Sequence, residues 1–376
     1  MSLPSAEQSA LDRHYMARAL ELARKGIYTA HPNPCVGCVI VRDGQIVGEG
    51  WHVRAGQPHA EVHALRQAGD KARDATAYVT LEPCSHHGRT PPCAEALVDA
   101  GVARVVAAMQ DPNPDVAGKG LLRLMIAGIA VQSGVLESDA RALNKGFLKR
   151  MEHGLPYVRV KLAMSLDGRT AMASGESKWI TGPAARSAVQ RLRAQSSVVL
   201  TGADTVLADG ARLTVRPDEL GLDAELTALA LTRPPLRVLI DGRLRVPLDA
   251  PFFQAGNTLV VTCAAASARE HYLAEGHEML ALANSAGQVD LHKLMVELAA
   301  RGVNDVLIEA GPGLAGAFTR LGLVDEFQIF VAGKFLGSSA RPLLDLPLAK
   351  MSEALELKII EMRAVGDDWR VIAVPA

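Results

Sequence analysis

Apolar and polar positions along this chain recur at two periods, and the switches between them mark the elements. Leu11, Tyr15, Ala19 and Leu22 follow helical spacing, and Ser5-Ala6-Glu7-Gln8 ahead of them reads as a capping box. Cys38 to Val41 is a short apolar strand, Asp43-Gly44 a hairpin turn, and Gln45 to Gly48 the return strand. A helix is predicted from His59 to Gln67, closed by Gly69, and a strand over Ala77–Leu81. A polar loop then leads to a helix starting near Cys93, with Pro91-Pro92 before it and Gly101 after it. Val102–Met109 and Ile129–Gln132 predict strands, with a helix over Leu121–Ala127 between them. Ser138 to Met151 is charged and helical in period, and it ends at His153-Gly154-Leu155-Pro156, the expected linker.

Beyond the linker the alternation restarts. Strands are predicted at Tyr157–Ala163, Ser197–Thr201, Leu236–Ile240, Thr258–Val261, Val306–Glu309 and Glu326–Val331. Helices fit Ala184–Gln195, Leu291–Ala300 and Leu314–Leu321, and the chain closes on a hairpin of Leu357–Arg363 and Trp369–Val374. There is no internal repeat or low-complexity tract. A length of 376 residues suits two domains of ~100–200 residues each. The reading is two α/β domains, residues 1–153 and 154–376.

Composition narrows the partners. A net charge of −1 and 4% aromatic residues offer little to nucleic acid or to an anionic membrane, so a small molecule is the expected partner. No apolar run approaches the ~20 residues of a membrane span, and the N-terminus lacks a signal-peptide core. Five cysteines, an odd number spread along a long chain, do not form a disulfide framework. A cytoplasmic protein with thiols free for metal is expected.

The candidate chemistry begins at Pro58-His59-Ala60-Glu61, where a helix should start. Residues two apart point to nearly opposite sides of a helix, so His59 and Glu61 need different jobs. Further on, Glu82-Pro83-Cys84 and Pro91-Pro92-Cys93 bring two cysteines to one loop, the second at a helix start. Catalytic zinc uses three protein ligands and keeps one position open, and His59, Cys84 and Cys93 supply that set. Glu61 is then free to move protons. The pattern H-x-E followed by P-C-x-x-C marks zinc nucleobase deaminases, although here eight residues separate the cysteines. Cys35-Val36-Gly37-Cys38 offers rival readings, a closed structural zinc site or a redox pair, and His86 and His87 are rival ligands.

With His31-Pro32-Asn33-Pro34, Val36-Gly37-Cys38, the His59 motif and the Glu82–Cys93 segment together, the chain resembles the bifunctional deaminase/reductases of riboflavin biosynthesis. The resemblance covers essentially the whole chain. It implies a cytidine-deaminase-like three-layer domain acting on 2,5-diamino-6-ribosylamino-4(3H)-pyrimidinone 5′-phosphate. Asn33 and His52 would hold the pyrimidine and Arg89 would reach toward phosphate, while Cys35 stands where the family usually has Asn.

In the second half, Gly311-Pro312-Gly313-Leu314-Ala315-Gly316 follows an apolar strand and opens a helix, which suits a pyrophosphate against the backbone. By itself this G-x-G-x-x-G match is equally a glycine-rich turn without a ligand. Lys161, Ala163, Ser165 and Asp167-Gly168 form K-x-A-x-S-x-D-G, and Thr205-Val206-Leu207-Ala208-Asp209 follows. These are similar to the family's dihydrofolate-reductase-like domain, which takes NADPH. The resemblance implies that Ala163, Trp179, Thr205, Asp209 and Gly311 to Ala317 line NADPH. It implies a substrate lining of Ser177, Arg193, Leu213, Arg216 and Glu309, with the arginines suited to a phosphate ester. Lys161 and Asp209 are candidate proton donors. The whole is expected to be a homo-oligomer. Two other readings use the same motifs: a zinc deaminase fused to a nucleotide-binding module without chemistry, and a deaminase of tRNA or DNA. The charge and scarce aromatics disfavour the latter.

Overall fold

Ser5 opens the first helix as its side chain accepts from the Gln8 N–H at 3.1 Å, satisfying one of the donors a helix start leaves unpaired. The computed structural model describes residues 5–85, 92–114 and 116–376, so Arg89, His86 and His87 lie outside the described residues. The chain divides into two compact units, Met1–Gly154 and Leu155–Ala376.

The first unit runs α1 (Ala6–Arg24), β1 (Gly37–Arg42), β2 (Gln45–Trp51), α2 (Ala60–Ala68), β3 (Thr76–Val79), α3 (Cys93–Asp99) and β4 (Arg104–Ala107). It continues through α4 (Lys119–Ile126), β5 (Ala130–Ser133), α5 (Glu137–Leu143) and α6 (Lys145–His153). The sheet order is β2-β1-β3-β4-β5, with β1 antiparallel to both neighbours and β3, β4 and β5 parallel. Strand residues alternate between two cores, which gives three layers. Cys38, Ile40, Ala77 and Val105 pack toward α2, α3 and α4, whereas Val39, Tyr78 and Val106 pack toward α1, α5 and α6.

Glycines set how closely the helices approach. A Cβ on Gly50 would lie 2.2 Å from the Ala60 carbonyl, and one on Gly48 2.2 Å from the Ala64 carbonyl, so α2 rests directly on the backbone of β2. Gly50→Ala therefore must lift the first turn of α2, where His59 and Glu61 sit, at a cost of ~1–3 kcal/mol for overpacking. Zinc content and ammonia release should fall together in this variant while reduction by NADPH persists. Metal analysis beside the two activity assays checks it.

The second unit runs β6 (Tyr157–Ser165), β7 (Arg169–Ala171), α7 (Pro183–Gln195), β8 (Val198–Gly202), α8 (Ala203–Asp209), α9 (Ala224–Leu231) and β9 (Leu236–Ile240). There follow β10 (Thr258–Thr262), α10 (Ala266–Ala274), β11 (Glu278–Ala281), α11 (Leu291–Ala300), β12 (Asp305–Ile308) and α12 (Pro312–Arg320). The chain closes through β13 (Glu326–Ala332), β14 (Arg341–Pro342), β15 (Leu357–Val365) and β16 (Asp368–Pro375). Nine strands form one sheet in the order β11-β10-β9-β8-β12-β6-β13-β16-β15, and β7 pairs with β14 apart from it. The sheet is parallel from β11 to β13, and the closing β15–β16 hairpin is antiparallel. Valines and leucines of β6, β8, β9 and β10 pack on α11 and α12, and alternate residues Val199, Leu239 and Val260 pack on Phe252 and Phe253. Among the described residues no helix is long and apolar enough to cross a membrane.

Candidate active sites

In the first unit, two helix starts converge. His59 is the N-cap of α2 in extended conformation, and its side chain makes no capping hydrogen bond, which leaves the ring for another task. Cys93 is the first residue of α3, and its backbone N–H donates to Cys84 Sγ at 3.3 Å. His59 Nδ1 lies 3.6 Å from Cys84 Sγ and 3.3 Å from Cys93 Sγ, and all three ligand atoms fall within 4.8 Å of one another. A tetrahedral zinc with its usual bonds to sulfur and nitrogen would place S and N about 3.5 Å apart, so the donor set fits in both type and spacing. Cys84 is held below the ordinary thiol range by hydrogen bonding from Cys93 and His59, outweighing its burial, whereas Cys93 is pushed up by its link to Cys84 and by burial. A dication bound to both sulfurs would favour their thiolate forms.

Glu61 is 3% exposed, and its Oε2 has no hydrogen-bond partner among the described residues. Burial pushes its pKa up to about 7, with the nearby His59 opposing that rise. A buried carboxylate oxygen without a partner is costly unless something outside the protein uses it. Cys38 is fully buried, and burial, then the nearby Glu61, pushes its thiol above the ordinary range; its side chain packs in the core beneath α2. Cys35 is likewise buried, and its main chain is clasped by Asn144, which accepts from Cys35 N–H at 2.8 Å and donates to Cys35 O at 3.0 Å.

A cavity of about 540 Å³ opens on these groups, and its lining includes Asn33, His52, His59, Glu61, Cys84, Asp111 and Asn113. Asn33 Nδ2 lies 3.0 Å from His52 Nε2, and His52 Nδ1 lies 3.3 Å from the Pro58 carbonyl. The only tautomer that serves both contacts is neutral, with Nδ1–H donating to Pro58 and Nε2 accepting from Asn33. Burial, then the nearby His59, pushes the His52 pKa down to about 4, in keeping with that state. The sequence reading missed the wall formed by Asp111, Asn113 and Val116. Its signal was the turn-rich Asp111-Pro112-Asn113-Pro114 directly after a buried strand.

In the second unit, α8 and α12 begin at the carboxyl ends of the adjacent parallel strands β8 and β12. Thr205 Oγ1 accepts from Gly311 N–H at 3.3 Å, Ser177 Oγ donates to Asp209 Oδ1 at 3.4 Å, and Lys178 Nζ donates to the Asp209 carbonyl at 3.3 Å. The half-exposed Trp179 is stacked by Arg186, whose guanidinium carbon is 4.7 Å from the ring centre. A Cβ on Gly311 or Gly313 would meet nothing within 4 Å, so this helix start is an open backbone surface fitted to a pyrophosphate. The expected lining shrinks at its far end. Ala315 is fully buried in the core, and Gly316 faces the Asp345 carbonyl at 2.4 Å from its would-be Cβ, because a helical turn carries them inward. Leu213 is also a core residue, packed with Val206 and Phe252 on a left-handed backbone, so only its main chain can meet a ligand.

Arg193 lies differently from a phosphate-reading fork. Its Nε and Nη2 donate to the two oxygens of Glu309 at 2.5 and 3.0 Å, and Nη1 donates to the Thr214 carbonyl at 3.0 Å. The pair is buried, and Lys161 stands close enough to feel both charges. Burial alone would raise the Glu309 carboxyl, but Arg193 and Lys161 outweigh it and hold it below its ordinary range. Burial pulls Lys161 below the usual lysine range, with Glu309 opposing. Lys161 and Ala163 occupy the same face of β6, two residues apart. Arg216 is half-exposed and pairs with Glu219 through Nη1 at 2.6 Å.

Fold and site define the class: a zinc-dependent deaminase unit fused to a reductase unit. Residues 9–109 match the cytidine and deoxycytidylate deaminase zinc-binding region, and residues 156–371 match the RibD C-terminal domain. The Escherichia coli riboflavin biosynthesis protein RibD is 57% identical over 362 residues, 95% of this chain and 97% of that protein. The structure of Acinetobacter baumannii RibD is similar with a TM-score of 0.89 at 48% identity, covering 98% of this chain and 99% of that one. A Thermotoga maritima deaminase/reductase aligns with a TM-score of 0.84 at 31% identity, covering 98% of this chain and 100% of that one. The chain belongs to the RibD family, the bifunctional deaminase/reductases of riboflavin biosynthesis, with Zn²⁺ and NADPH as cofactors.

Proposed function

We propose that the first unit deaminates 2,5-diamino-6-ribosylamino-4(3H)-pyrimidinone 5′-phosphate and that the second reduces the ribosyl chain of the product, giving 5-amino-6-ribitylamino-uracil 5′-phosphate. The observation that carries this reading is the meeting of His59, Cys84 and Cys93 within 4.8 Å, with buried Glu61 lining the same cavity. His59, Cys84 and Cys93 would hold zinc, which when bound supplies Lewis-acid charge and acidifies water to a pKa of ~7. Glu61 takes up a proton on a carboxylate oxygen and returns it to the departing ammonia. Asn33 and neutral His52 present fixed polar edges to the pyrimidine.

In the second unit, Trp179, Thr205, Asp209 and the backbone of Gly311 to Leu314 would hold NADPH, which when bound supplies hydride to the ribose C1. Lys161 and Glu309 flank the substrate side, with Arg193 fixing the direction of the Glu309 carboxylate. The phosphate ester falls to Arg216, whose donors are not consumed by a buried partner. Arg216→Ala should cost about 1.5 kcal/mol of binding to the phosphorylated substrate, the low end for a charge-assisted bond at a half-exposed side chain, and almost nothing for its dephosphorylated analogue. Paired KM measurements on the two compounds check it, and an equal penalty on both removes Arg216 from the phosphate.

Association of identical chains belongs to the same proposal. The sheet ends on β15, an edge strand on which Ile359, Ile360 and Met362 are more than half exposed. The experiment for the whole reading incubates zinc-loaded protein with the pyrimidinone phosphate and NADPH, following ammonia and nicotinamide absorbance. One ammonia and one NADPH per product are expected. Ammonia release with no NADPH consumed would leave the second unit a binding module.

A further inference from the structure

Among the described residues Glu82 has no partner side chain of opposite charge, yet it is 3% exposed. Its carboxylate is consumed by backbone instead. Oε2 accepts from Asp111 N–H at 3.1 Å and Gly118 N–H at 2.9 Å, and Oε1 accepts from Gly120 N–H at 2.9 Å and Leu121 N–H at 3.2 Å. Gly120 and Leu121 are in the first turn of α4, whose N-cap, Gly118, has no side chain to cap with. Glu82 therefore caps α4 from a distance, and its negative charge meets the positive end of the helix. Closeness depends on Gly120, since a Cβ there would lie 1.9 Å from the Pro83 carbonyl.

The four bonds fasten both ends of one segment. Asp111 begins it and Gly118 to Leu121 close it, and between them Asn113 and Val116 line the cavity that contains Glu61 and the zinc ligands. Glu82 is itself two residues from Cys84, and its own N–H is tied to the Met109 carbonyl at 2.9 Å. One residue thus ties the strand end that leads to Cys84 to both ends of the segment that carries Asn113 and Val116.

We infer that Glu82 is a positioning residue for deamination, setting Asp111, Asn113 and Val116 against the pyrimidine site through its hold on four backbone amides. This rests on the proposed deaminase reading of the first unit. Glu82 borders the same cavity, but its carboxylate is spent on four backbone amides, so its loss should loosen substrate binding while leaving the chemistry at zinc and Glu61 in place. Its neutral isostere, Gln, has a single acceptor oxygen and no charge, and so cannot serve four donors.

The test compares Glu82→Gln with wild type in the zinc-loaded full chain. Zinc content should stay at one per chain, and reduction of ready-made deaminated substrate should be unaltered. KM for deamination should rise about tenfold or more, the equivalent of ~1.4 kcal/mol, with kcat within about threefold. Amide exchange should quicken at Asp111, Gly118, Gly120 and Leu121. A purely structural lesion would instead lower zinc content and kcat together, and that result overturns the inference. Unchanged KM with unchanged exchange overturns it equally. Should the Gln variant not fold, Glu82→Asp, which keeps charge and both oxygens on a shorter arm, is read by the same criteria. Failure of the underlying reading has its own signature: wild-type protein with zinc bound releases no ammonia from the pyrimidine.

Discussion

Glu61→Gln should retain a full zinc complement and lose deamination by ~10²–10⁴-fold, the range that removal of a general acid–base produces. The substitution keeps the shape of the side chain but takes away the proton acceptor, and the proposed ligand set of His59, Cys84 and Cys93 does not call on it. Cys84→Ser gives the contrasting result, because it removes a ligand and not a proton carrier. Both zinc and ammonia release should vanish in that variant, even though the neighbouring fold is intact. Metal analysis and ammonia release on the two variants separate the roles. Zinc lost from Glu61→Gln would make Glu61 a ligand. Zinc retained in Cys84→Ser would move the metal elsewhere, with Cys35 and Cys38 the sequence alternative. Their burial, with Cys38 in a strand packed beneath α2, argues against that alternative.

Local signals made much of the first unit legible. The Asp43-Gly44 turn is a hairpin because both residues adopt positive φ, 51° and 73°, which the Asp-Gly pair tolerates. The grouping of His59, Cys84 and Cys93 was legible because candidate metal ligands must be particular residue types, and two of these stand at helix starts. Long-range partnerships were not legible. Ser138 to Met151 reads as one helical stretch, yet it breaks at Asn144, whose side chain is used to clasp Cys35, 109 residues away in sequence. Arg193 and Glu309 both carry the right residue types for a substrate site, but only the fold reveals that they spend their charge on each other across 116 residues. Glu82 looks like part of a metal motif and acts on a different helix. In the second unit, β11 escaped because a half-exposed strand of four residues lacks the apolar run of its buried neighbours. The helix α8 escaped because seven residues carry too little periodicity to register.

Gly313→Trp should abolish reduction and leave ammonia release unaltered. The space over Gly313 is open, with nothing within 4 Å of where a Cβ would stand, and it lies on the helix start offered to the cofactor's pyrophosphate. A bulky ring there fills the cofactor's place without disturbing the buried side of α12, which is carried by Ala315 and Phe318. Each unit has its own sheet and its own core, so a lesion of one site has no reason to unfold the other. Glu61→Gln is the complementary variant, unable to deaminate but still able to reduce the deaminated sugar phosphate. Mixed together, the two should restore full conversion, because the intermediate diffuses from one chain to the next. Product yield in the mixture, measured beside each single activity, is the deciding quantity. If deaminated intermediate accumulates while both single activities survive, transfer occurs only within one assembly. If either substitution removes both activities from a folded protein, the two sites are not separate machines.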